Sequence, residues 1–195
     1  MKKILIFVML GLSATQLWGQ SNFSLTYAMG LPTGDVKDYI SQASFRGIAA
    51  DYRYNINPNM ALGVGFAWHT FYDERPSDTY TIENVSLTGK QFRYSNHVPM
   101  LATATYFMEP NEMFHPYATV GVGVTYTRRN TDMNLYTLEQ EAWNFTLQPE
   151  IGVQIHTADL MGFVISAKYL NGFQSGSELH EAQSFFSLHV GFCFF

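Results

Sequence analysis

What most constrains this chain is a period-two alternation of apolar with polar or small residues, repeated in eight segments. In residues 60–72, Leu62, Val64, Phe66 and Trp68 oppose Ala61, Gly63, Gly65, Ala67 and His69. In residues 115–128, Val120, Val122 and Val124 oppose Thr119, Gly121, Gly123 and Thr125. Residues 142–156 set Phe145, Leu147, Ile151 and Val153 against Asn144, Thr146, Gln148 and Glu150. Residues 184–195 set Phe186, Leu188, Val190, Phe192 and Phe194 against Ser187, His189, Gly191 and Cys193. Successive side chains of a strand point to opposite faces, so each segment reads as a strand with one apolar face.

The remaining segments are 22–31, 43–56, 92–107 and 161–170. Between segments, short turn-rich connections at 57–59, 108–115 and 157–160 take turns with long ones at 32–42, 73–91, 129–141 and 171–183. A strict short-long rhythm is the pattern of a transmembrane barrel with short periplasmic turns and long extracellular loops. It gives an even strand count and both termini at the periplasmic end. No helical period separates the segments, which argues against βαβ units. The expected fold is all-β: an eight-stranded antiparallel transmembrane β-barrel.

The minority face decides which way the barrel turns. A soluble ligand-binding barrel hides its apolar face, and a membrane barrel displays it. Here the other face is crowded with glycine and alanine and carries Asp51, Arg53, Arg93 and Glu150. Small residues beside a few charges suit the narrow lumen of eight strands, whereas glycines on a water-facing exterior weaken strands and cover nothing. Composition agrees. Aromatics make up 16% and charged residues only 14%, against roughly a quarter charged in soluble domains. Tyr52, Tyr54, Trp68, Tyr72, Phe92, Tyr94, Tyr106, Tyr126, Trp143 and Tyr169 lie near segment ends on the apolar face, as girdles at the two headgroup levels would require.

Lys2 and Lys3, the apolar run "ILIFVMLGL" and the following "SATQLWGQ" have the layout of a secretory signal peptide. The expected cut lies between Gly19 and Gln20, leaving residues 20–195 as the barrel domain. With a net charge of −5 and no basic stripe, nucleic acid is not an expected partner. One cysteine, Cys193, excludes an intramolecular disulfide framework.

The chain resembles the small outer-membrane β-barrel proteins of Gram-negative bacteria, and within them the porin-like barrel-domain group common in Bacteroidetes. The resemblance is carried by "YAMGLPTGDVKDYISQASFRG", by "ADYRYNINPNMALGVGFAW" and by the closing "SFFSLHVGFCFF". It implies location in the cell outer membrane, contact with outer-membrane lipids and lipopolysaccharide, and passage through the outer-membrane assembly machinery. The terminal aromatics Phe194 and Phe195 stand where that machinery reads its signal. In this chain the apolar series ends at Phe194, one residue out of step with the common form. A monomer is expected, and the resemblance names no protein partner.

The expected role is a non-enzymatic barrel, structural or a passive small-solute channel with a polar, partly plugged lumen. The alternatives are an adhesion or interaction barrel acting through its extracellular loops, and a barrel-type lipid-modifying hydrolase. Barrel-type lipid A deacylases pair histidine and serine on the membrane-facing wall. Ser187 and His189 fall on the lumen face here, and no His-x-Ser-Asn segment is present. No catalytic residues, cofactor or metal are expected, since HExxH, GxSxG and CxxC are all absent.

The candidate site is therefore the lumen. Asp51, Arg53, Arg93, Glu150 and Lys168 form the expected ionic network, with Glu150 and Asp51 paired to Arg53 or Lys168. Buried charges must be paired or wet, so such a set either plugs the lumen or lines a narrow gated pathway. His69, His97 and His189 also face inward by parity and are expected to be hydrogen-bonded there. The alternate glycines are read as room for these side chains.

Overall fold

The computed structural model describes residues 21–82, 85–108, 113–133, 136–158, 160–174, 179 and 181–195. The expected signal peptide and its cut lie outside the described residues. Eight strands follow one another around a closed ring: β1 (Ser21–Thr33), β2 (Gly47–Asn57), β3 (Met60–Ile82), β4 (Val85–Phe107), β5 (Phe114–Met133), β6 (Tyr136–Ala158), β7 (Met161–Gly172) and β8 (Gln183–Phe194). Every neighbouring pair is antiparallel, and β8 closes on β1 from Phe23↔Phe194 to Thr33↔Ser184. No helix among the described residues is long and apolar enough to cross a membrane.

Parity holds on both faces. Val64, Phe66, Trp68, Val122, Phe145, Leu147, Ile151, Leu188 and Phe192 all stand outward and exposed. At the outer end, aromatics pair across strands: Tyr72 with Tyr94, Tyr126 with Trp143, and Tyr169 with Phe186, at centroid separations of 5.0, 5.1 and 4.5 Å. Phe23 and Phe194 stack at the periplasmic end.

Three features differ from the sequence reading. Most of residues 73–91 and 129–141 is strand and not loop. β3 and β4 stay paired out to Ile82↔Val85, and β5 and β6 out to Met133↔Tyr136, so two hairpins continue beyond the girdle. The connection after β1, read as a loop, holds a short helix α1 (Gly34–Tyr39). Gly34 has φ +53°, a left-handed turn that only glycine makes without strain, and it drops α1 into the mouth of the barrel.

The third concerns four of the glycines; Gly65, where a Cβ would meet the Asp51 carboxylate, does make room for a lumen side chain as the sequence suggests. A Cβ on Gly63 would fall on the Tyr52 carbonyl oxygen, on Gly123 on that of Met100, on Gly162 on that of Ile155, and on Gly191 on that of Leu25. These four let neighbouring strands approach each other; they are not room for lumen side chains.

Two ladders are interrupted without a change of register. In β3–β4 the break lies between Phe66↔Met100 and His69↔His97. In β6–β7 it lies between Leu147↔Asn171 and Glu150↔Lys168. Each break sits beside a proline, Pro99 or Pro149, which has no N–H to give.

Candidate functional site in the barrel lumen

The lumen is filled in layers. The ionic layer is built from β2, β5, β6 and β7. Lys168 Nζ donates to both Asp51 carboxylate oxygens, at 3.1 and 2.8 Å, and lies 3.4 Å from Glu150 Oε2. Lys168 and Glu150 are direct cross-strand partners. Arg53 Nη2 donates to Glu150 Oε1 at 3.3 Å, and its Nη1 donates to Ser24 Oγ at 3.3 Å. Tyr117, which the sequence reading passed over, donates its hydroxyl to Glu150 Oε1 at 2.7 Å, and the Arg53 guanidinium lies 4.9 Å from its ring centroid.

Two acids meet two bases, and every one is nearly excluded from solvent: Arg53 at 1% exposure, Lys168 and Glu150 at 4%, Asp51 at 5%. Desolvated charges of this kind persist only when paired and hydrogen-bonded. The void beside them, between Gly65, Pro99, Gln148 and Lys168, measures about 10 Å³, room for no more than one water.

Arg93 is not in this layer. Although its parity is inward, its height places it at the outer mouth, where Nη1 donates to the Tyr39 carbonyl oxygen at 2.9 Å and Nε to Gln91 Oε1 at 2.8 Å. A residue's face is set by parity, but its level depends on register and on where the hairpin ends.

The three histidines do converge, in a layer above the charges. Phe185 is their centre, 4.9 Å from the His69 ring and 5.2 Å from the His97 ring, with Phe71 also at 5.2 Å. His69 and His189 stand edge-on at 5.7 Å. The same local arrangement occurs twice. His97 Nε2 shares a hydrogen bond with Ser95 Oγ at 2.9 Å, and its Nδ1 with Thr127 Oγ1 at 3.2 Å. His189 Nε2 does so with Ser187 Oγ at 2.9 Å, and its Nδ1 with Thr26 Oγ1 at 3.2 Å. His69 Nε2 is buried with no hydrogen-bond partner among the described residues. The Ser187–His189 pair is thus oriented by a threonine rather than an acid, and it is sealed inside the ring. A hydrolytic triad needs a group that orients and stabilises a protonated imidazole, and a route for substrate.

The mouth is closed by α1. Ile40, Phe71, Leu170 and Phe185 pack together fully buried, with Tyr39 against them. Arg93 and Arg129 lie over the Tyr39 ring at 5.0 and 4.6 Å. The Tyr39 hydroxyl meets Thr131 Oγ1 at 2.7 Å and the Asn130 carbonyl oxygen at 3.1 Å. Burial raises the Tyr39 phenol pKa above its ordinary value, partly opposed by the Thr131 hydrogen bond and the two guanidinium groups. Arg129, assigned to a loop from sequence, is an inward residue of β5; it is 3% exposed and bound to Glu181 and Gln183 at 2.6 and 3.0 Å. At the periplasmic end, Ala61, Phe107, Tyr117, Val164 and Cys193 form an apolar floor against which Phe195 packs, while Phe194 faces outward. Among the described residues, no group of three His, Cys, Asp or Glu side chains is placed to hold a metal ion.

Comparison with known proteins agrees with this architecture. The outer-membrane protein β-barrel domain profile matches residues 4–194. A search of curated protein sequences gave no match. Among solved structures, the chain is similar to the outer membrane protein OprG from Pseudomonas aeruginosa, with TM-score 0.56 and 13% identity, covering 90% of this chain and 94% of that one. It is similar to Ail, the attachment invasion locus protein of Yersinia pestis, in complex with the heparin analogue sucrose octasulfate, with TM-score 0.51, 19% identity, and 90% and 98% coverage. It is also similar to Neisserial surface protein A, with TM-score 0.51, 12% identity, and 89% and 94% coverage. These likenesses concern the fold. The profile match spans nearly the whole sequence: the chain belongs to the outer-membrane protein β-barrel domain family and resides in the outer membrane.

Proposed function

We propose that this protein is a closed, non-enzymatic barrel whose work is done at the cell surface, with the wall and packed lumen serving to hold two long hairpins above the membrane. One observation carries the reading: the four charges that cross the lumen are at most 5% exposed, so the ring is shut at mid-height by groups that are costly to separate. The hairpins that continue β3–β4 and β5–β6 outward are then the surface open to a partner, and surface segments on a rigid scaffold are where binding usually resides.

Planar-bilayer recording tests the closed lumen. The purified protein should give no steady ion conductance, and stepwise opening by the wild type would replace this reading with passive small-solute passage. Replacing residues 74–91 by a short turn should leave the folded barrel abundant in the membrane and reduce binding of whole cells to one another or to coated surfaces. Unchanged binding would remove the hairpin from the function.

A further inference from the structure

We propose that the outer-leaflet half of the wall carries a site for one phosphorylated, acylated lipid, with an acyl chain in a furrow beside Phe45 and the phosphate on Arg46. The inference rests on the outer-membrane location and does not depend on the lumen being closed.

The site is made by a bulge at the outer start of β2. Tyr27 pairs with Ile48, and three residues further along β1, Gly30 pairs with Ser44 through N–H···O bonds of 2.7 and 2.8 Å. Three steps on β1 therefore oppose four on the other chain, which is the one-residue excess of a β-bulge. The bulge breaks the alternation, so Phe45 and Arg46 are both exposed on the wall. The Tyr27 hydroxyl, donating to the Phe45 carbonyl oxygen, pins it.

Phe45 divides two recesses. On one side is a furrow of about 320 Å³ with Ala167 and Gly30 among its lining and with Leu31 and Phe186 exposed beside it. Its lining is almost wholly apolar, because Ser44 and Ser187 are turned inward and buried. On the other side is a recess of about 430 Å³ whose lining includes Arg46, Thr70 and Tyr72 together with the carboxylates Asp73 and Glu74. Both recesses share Ala43, Ser44 and Phe45, so they adjoin.

Charge complementarity selects the occupant. The Arg46 guanidinium lies 5.8 Å from the Tyr72 ring centroid, at the level of the Tyr72–Tyr94 girdle, and makes no ion pair among the described residues. The nearby acids are engaged: Glu74 by Lys90 at 2.6 Å, and Asp73 by Arg75 at 3.7 Å and by Ser41. An available guanidinium at headgroup height favours phosphate, and aromatic girdles mark that height. The adjoining furrow lies on the outward apolar face of the wall, between Leu31, Phe186 and Leu188, so an acyl chain is its natural filling. A phosphorylated glycolipid with several chains meets both demands at once.

The test is native mass spectrometry of the delipidated barrel, reconstituted in phosphatidylcholine nanodiscs and titrated with bis-phosphorylated lipid A or its dephosphorylated form. The wild type should retain one phosphorylated molecule in preference to the dephosphorylated form. Arg46→Gln should lower that retention about ten-fold, the loss of one charge-assisted contact, and leave the dephosphorylated lipid unaffected. Ala167→Phe fills the furrow and should lower both. If that variant does not give a folded barrel, Phe45→Ala removes the furrow wall and should have the same effect. Equal retention of both lipids by the wild type, or wild-type retention by Arg46→Gln or by a folded furrow variant, would overturn the site.

Discussion

Arg53 on β2 meets Glu150 on β6 at 3.3 Å, although these strands stand diametrically opposite in a ring of eight. The contact spans the lumen, and the Lys168 ammonium lies between the Glu150 and Asp51 carboxylates. Removing the Glu150 charge strands Arg53 and weakens the hold on Lys168. Glu150→Gln should therefore cost about 3–5 kcal/mol, the usual penalty for breaking a buried ion pair, read as a lower urea midpoint in lipid. A neutral result would mean that the layer is wet.

The inward glycines separate into two kinds. At Gly63 a methyl group would meet the Tyr52 backbone, which cannot move without opening the β2–β3 seam; at Gly121 its nearest neighbour is the Leu101 Cδ1 atom at 3.1 Å, the end of a side chain that can turn. Gly63→Ala should destabilise the barrel by about 1–3 kcal/mol, as overpacking does, while Gly121→Ala should cost well under half of that. Equal unfolding midpoints for the two variants would contradict the close strand approach.

On the outer wall, Leu147 faces lipid from β6. Leu147→Arg should cost roughly 2–4 kcal/mol at mid-depth and reduce the folded, heat-modifiable fraction in membranes. A harmless arginine there would show that the face of β6 had been misassigned.

Tyr39 provides a pH test at the mouth. Its phenol pKa is raised above 10 in the folded state by burial. The native state therefore favours the neutral form. This contribution is complete below the unfolded value of 10 and is lost as pH rises through the raised folded value. The difference in stability between wild type and Tyr39→Phe should accordingly shrink or reverse above pH 10. Below that pH the substitution should cost about 1 kcal/mol for the hydroxyl contacts. A difference that does not change with pH would place Tyr39 in water.

Within the membrane, the fold was legible because lipid forces alternation: one face must be apolar, so Val120, Val122 and Val124 declare a strand. Beyond the girdle neither face is apolar, and the signal disappears. The segment Asp73–Gln91 reads as a loop for that reason, although most of it pairs strand to strand. In the site, parity identified Asp51, Arg53, Glu150, Lys168 and the three histidines as inward residues, but it carries no height, so Arg93 was grouped with charges far below it. Tyr117 had a visible signal, a large aromatic on a face otherwise given to threonine and glycine. The strand-approach role of Gly63 or Gly123 had none, since it depends on a neighbouring backbone that no local pattern reveals.

Phe185 and His189, which lie near the centre of the packed interior, belong to the last strand in the chain. The strand that completes the ring also delivers the aromatic around which His69, His97 and Phe71 gather. Until β8 reaches β1, a pairing between chain ends and thus among the slowest to form, the interior is an open, hydrated trough. Drying of the inside and closure of the wall are consequently a single late event, and any species caught before it would present those histidines to solvent.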